Sequence, residues 1–207
     1  MIVSRASDSY AVKRLPCHNL LDDPNRRLAM ATDSLTERVP FGVAAAAGGA
    51  AWLLCYLFTY LLTGNDFQNS VVRQFADIPT WKAVGWVFFN AHFANTVVDV
   101  PLVGGATNFI GTESVFTPAL YALPVVLLLI AGVAVGRAAE ADALEAADAA
   151  VAGAAVAVGY GVLSLLGAFL FATSNVSPDP VTSVLLAGVL YPVVLGAVGG
   201  VAARAAS

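Results

Sequence analysis

The sequence predicts an all-α integral membrane protein: a bundle of four transmembrane helices plus one short interfacial or re-entrant helix. Three observations carry that prediction. Of 207 residues, 58% are hydrophobic and only 12% are charged, against about 25% charged in a soluble domain. Residues 1–38 hold 11 of the 24 charges, leaving 13 for the other 169 residues, too few to cover a soluble surface. Four charge-free stretches are long enough to cross a bilayer, whose core of about 30 Å needs roughly 20 apolar residues in a helix. Together these argue against an ordinary globular enzyme, a disordered chain, a secreted disulfide scaffold and a nucleic-acid binder.

The stretches are counted between charges. Arg38 to Asp66 brackets 27 residues, Glu113 to Arg137 23, Asp148 to Asp179 30, and Asp179 to Arg204 24. Local signals place the spans at about 41–63, 117–136, 150–172 and 180–202. Ser34-Leu35-Thr36-Glu37 reads as a capping box before the first. Thr117-Pro118 and Asp179-Pro180 each set an N-cap residue before a proline that opens a helix. Pro124 and Pro192 should kink their spans.

The segment between the first two spans differs. Lys82 to Asp99 brackets only 16 residues, about 24 Å of helix at about 1.5 Å each, short of the hydrocarbon thickness. Read as a continuous helix, it sets His92, Asn95, Thr96 and Asp99 in one polar stripe. Trp81 and Trp86 suit an interfacial anchor. A helix lying in the interface and a short fifth crossing both fit, and length favours the former. The stripe is the candidate polar face. It is either the wet edge of an interfacial helix or the lining of a cavity, and the wet edge carries more weight. A lining needs polar partners, and the other spans offer chiefly Thr59, Tyr60, Tyr160, Ser164, Thr182, Ser183 and Tyr191.

The excess of Lys and Arg should lie on cytoplasmic flanks. Two arrangements survive that test, four spans with the N-terminus inside or five with it outside. They agree after residue 113: the 137–149 loop inside, 173–179 outside, the C-terminus inside. The tail, residues 1–38, breaks sharply in composition at Met30: either the translated chain begins there, which we favour, or residues 1–29 are a basic cytoplasmic tail against anionic lipid. Residues 39–207 form the membrane domain, with 64–116 as its extracellular segment.

Catalytic signals are sparse. There is no P-loop, dinucleotide fingerprint, HExxH, GxSxG or CxxC. Cys17 lies in the tail and Cys55 in the first span, which supports neither a disulfide nor a metal cluster. The expectation is a non-enzymatic protein without metal or cofactor. Its partners would be the lipid bilayer and a membrane protein or a second copy, with no nucleic acid. Small residues suit close helix packing: Ala44 and Gly48 on the first span, Gly153, Ala157 and Gly161 on the third, Gly196 and Gly200 on the last.

The loop from Arg137 to Asp148 is acidic and alanine-rich, with Asp142 and Glu145 at capping-box spacing. Two lysines against fourteen acids, with a pI near 4.9, is a pattern like that of extremely halophilic archaea. Pro79-Thr80-Trp81-Lys82-Ala83-Val84-Gly85-Trp86 and Asn90-Ala91-His92-Phe93, with the span layout after residue 38, resemble a family of uncharacterised multi-pass membrane proteins of haloarchaea. Its members are often labelled transporter. The resemblance implies location and no particular chemistry. An accessory or envelope subunit working through 64–116 is the leading expectation, and a small-molecule transporter or channel the rival.

Overall fold

A computed structural model of the chain describes residues 39–68, 78–99, 104–112, 116–140 and 143–206. The tail, with Ser34 to Glu37 and Cys17, lies outside them, as does Asp142. Among the described residues four helices are long and apolar enough to cross a membrane: Phe41–Asn65, Pro118–Ala138, Ala146–Leu170 and Pro180–Ala205. The first belongs to α1, Phe41–Gln68. A short helix, α2 (Thr80–Asn90), is followed by strands β1 (Thr96–Val98) and β2 (Gly105–Thr107) and a single turn, α3 (Phe109–Thr112).

The second long helix is a 3-10 turn, Pro118–Tyr121, running into α4, Ala122–Ala138. Thr117 caps it, its side chain accepting from the Ala119 amide at 3.3 Å. Pro124 lies six residues after Pro118 within this continuous helix, where it has no N–H to give to the preceding turn. The third long helix comprises α5 (Ala146–Ala154) and α6 (Ala157–Leu170), separated by a tightened turn at Ala155–Val156. Glu145 occupies the N-cap position without a side-chain cap bond.

The fourth begins with α7 (Pro180–Thr182), capped by Asp179, whose Oδ1 accepts from the Thr182 amide at 2.7 Å. A π-helical segment, Ser183–Leu190, leads into α8, Tyr191–Ala205. Pro192 has no N–H to give, and the π register before it passes the Tyr191 amide to the Leu186 carbonyl, five residues back.

Strand β3 (Val176–Pro178) lies between α6 and α7. It pairs antiparallel with β1, which also pairs with β2, in the order β2-β1-β3. Thr96 faces Thr107 on one side and Pro178 on the other. The alternating helices bring Asn65, Pro118, Leu170 and Pro180 to the end that carries this sheet. The strands were not expected. They correct the reading of residues 91–99 as helix, because pairing with β3 satisfies the backbone of 96–98 better than a helix passing the turn at 91–93 could.

Candidate functional site

Helix α2 is fastened along its length to the sheet end of the bundle. The indole N–H of Trp86 donates to the Phe171 carbonyl at 2.9 Å, and Lys82 Nζ to the Ala172 carbonyl at 2.6 Å. From α1, the Tyr56 hydroxyl donates to the Trp81 carbonyl at 2.9 Å. The Phe171 and Ala172 carbonyls lie just past the C-terminus of α6, where a helix leaves its carbonyls without internal donors. Between them Phe88 and Phe89 pack edge-on at 5.1 Å, and Phe171 stacks on Tyr56 at 5.3 Å.

The helix ends in a two-bond turn. The Ala94 amide reaches back to the Phe89 carbonyl and the Phe93 amide to that of Asn90, a Schellman closure. Its left-handed position, usually a glycine, is held by Phe93 at φ 59°. Asn90, fully buried, ties the turn from inside. Its Nδ2 donates to the Ala94 carbonyl and the Thr96 hydroxyl, and its Oδ1 accepts from the Phe109 amide at 2.9 Å.

This turn delivers His92 to the interior, where it is fully buried. Its Nδ1 lies 2.8 Å from the Phe88 carbonyl and its Nε2 2.7 Å from the Tyr160 hydroxyl. A carbonyl only accepts, so Nδ1 carries the proton, Nε2 is bare, and Tyr160 donates to it. Cys55, fully buried on α1, lies beside the same hydroxyl. Tyr160 and His92 thus form a buried pair linking α6 to the turn after α2, with Cys55 of α1 beside it. The His92 ring is also packed by Phe88 at 4.8 Å and Tyr191 at 5.2 Å. Burial pushes the imidazole down to about 4, so it is neutral near pH 7 and both nitrogens are occupied.

The four residues of the expected stripe therefore part company. His92 and Thr96 are buried, whereas Asn95 and Asp99 are exposed. Their helical spacing stops applying at Asn90, where α2 ends. Among the described residues no three His, Cys, Asp or Glu side chains are grouped to hold a metal ion.

Residues 24–207 match a family of unknown function, DUF7978. The chain belongs to that family. No curated protein and no solved structure matches it. In this DUF7978 chain the small residues lie where helices approach most closely. A Cβ on Gly153 would strike the Gly196 carbonyl oxygen, and one on Gly200 the Ala149 carbonyl oxygen. Gly48 meets the Val156 carbonyl in the same way, and Gly161 lies against Gly188. Ala44 is fully buried, while Ala157 is only half-buried. Sequence reasoning did not join Cys55 and Tyr160 to His92. They are 105 residues apart in the chain, Tyr160 is 68 from His92, and no spacing motif connects them.

Proposed function

We propose that this DUF7978 protein is a multi-pass protein of the cell membrane and a non-enzymatic accessory or envelope subunit, presenting its 64–116 segment to another membrane protein. One observation carries the reading. The polar bonds Trp86 to Phe171, Lys82 to Ala172, Asn90 to Phe109 and His92 to Tyr160 all fix the described part of that segment, residues 78–99 and 104–112. Asn95 and Asp99 are left on its surface. The lysine-poor, acidic composition supports a source among halophilic archaea. The test is a photo-crosslinking residue at Asn95 or Asp99 in native membranes. A discrete adduct there, missing from a control at Leu57, is expected; adducts equal to the control would overturn the reading.

A second reading, passage of a proton or small polar solute, is favoured by the burial of Thr59, Tyr160, Ser164 and Ser183 along with His92. The Ser164 and Ser183 hydroxyls have no protein partner. Proteoliposomes carrying an internal pH dye test it: a leak lost in His92→Gln supports passage, and vesicles as tight as empty ones rule it out.

A further inference from the structure

We propose that the sheet end of the bundle is seated in the headgroup layer of a phospholipid leaflet. Helix α2 and the turn after it dip below that layer, and Trp81 and Phe93 are its lipid-touching anchors. This rests on the membrane reading above and adds to it a depth, a leaflet face and two contact residues.

The first support is the placing of aromatic side chains. Tyr60, Trp81, Phe93 and Phe169 all stand exposed towards the sheet end, contributed by α1, α2, the turn and α6. At the opposite end Phe41 is the one exposed aromatic among the described residues. Tyr60 and Trp81 are of the amphipathic kind that collects where hydrocarbon gives way to headgroups, and Phe58, also exposed, lies two residues deeper on α1.

The second is the cost of Phe93. A left-handed conformation is unfavourable for any residue with a Cβ, and the turn would close more easily with glycine. Only one face of the ring is covered, and 57% of the residue is exposed. It lies flat on Tyr121, with centroids 4.5 Å apart and planes within 7°. An aromatic held outward against backbone preference points to something outside that it touches.

The third is continuity. Below these rings the surface runs on as exposed aliphatics, Leu57 and Leu61 on α1, Leu165 and Leu166 on α6, Leu185 and Val189 on the π segment. A single solvent that covers those side chains reaches Trp81 and Phe93.

The fourth is depth. Cys55 lies ten residues from Asn65, and Tyr160 ten from Leu170, the sheet-end limits of their long helices. At about 1.5 Å per residue that is roughly 15 Å, half of a hydrocarbon core of about 30 Å. The Tyr160 hydroxyl bonds the His92 ring, so that ring reaches down towards this depth, while Phe93 stays near the sheet end, stacked on Tyr121 three residues from Pro118. A helix resting on the membrane surface could not bring His92 there.

The experiment uses the full chain in phosphatidylcholine vesicles, with lipids brominated either high or low on the acyl chains and with aqueous iodide. Trp81 is isolated as the difference between the wild type and Trp81→Phe, since Trp52 and Trp86 are buried. A Phe93→Trp change in the Trp81→Phe background reports the second site. High bromines should cause the largest loss of both signals, low bromines less, and iodide little. Strong quenching by iodide with none by bromolipid would put the segment in water and overturn the proposal while leaving the bundle in the membrane. Strongest quenching by low bromines would also overturn it. Protein that fails to float with the vesicles would overturn it together with the membrane reading.

Discussion

The Tyr160 hydroxyl donates to His92 Nε2 across 2.7 Å, joining the third long helix to a turn that precedes it by 68 residues. Because the other ring nitrogen is committed to the Phe88 carbonyl, neither partner has a spare group with which to replace the other.

Removing either one strands a buried polar atom. His92→Ala and Tyr160→Phe should each cost roughly 1–3 kcal/mol in thermal unfolding in mild detergent. The double variant should cost less than the sum. Asp99→Asn, on an exposed side chain, should stay within about 0.5 kcal/mol. The wet-edge reading of the stripe expects a mild His92→Ala; burial reverses that expectation for His92 and keeps it for Asp99.

Acid should loosen the same turn. His92 is held down to about 4 by burial, against an ordinary 6.5. The unfolded chain takes up its proton first, so the stability is complete above about 6.5 and drains away as pH falls towards 4. Below that it levels off. At about 1.4 kcal/mol per pKa unit, the loss from this group is about 3 kcal/mol. Unfolding midpoints across that window should show the slope in the wild type and a flatter profile in His92→Gln.

The glycine contacts separate by position. Gly153→Ala meets the Gly196 backbone, which cannot swing aside, and overpacking of this kind costs about 1–3 kcal/mol. Gly42, also helical, has nothing within 4 Å of an added Cβ. Gly42→Ala, at the second position of α1, should be stabilising by at most about 0.5 kcal/mol, since the full propensity gain applies to helix interiors. Melting of the two variants side by side checks the contrast.

Phe93 offers a test of backbone strain. Phe93→Ala and Phe93→Gly both lose the stack on Tyr121, yet only glycine relieves the left-handed conformation. The glycine variant should be the more stable of the two by about 1 kcal/mol. Equal stabilities would show that the turn relaxes once the ring is gone.

Orientation can be read with an impermeant thiol reagent in intact cells. A cysteine at the exposed Ser174 should label from outside, and one at the exposed Glu145, at the other end of the bundle, should not. Labelling of position 145 would reverse both arrangements that the cations allow.

The long helices were legible in the sequence because their causes are compositional and local. The gaps between charges set their length, and Thr117-Pro118 and Asp179-Pro180 set two of their starts within a residue or two. The small-residue ridges were legible as ridges too, since helical spacing is enough to align Gly153 with Gly161. Which carbonyl each glycine meets depends on how two helices cross. The stripe from His92 to Asp99 marks where local reasoning stopped. Its period assumes a helix, and the helix ends at Asn90. Pairing of β1 with β3, 80 residues further along the chain, turned the next residues into strand. Long-range pairing leaves no mark on a period of 3.6, so only the tertiary structure could put His92 inside, beside Tyr160 and Cys55, and Asp99 outside.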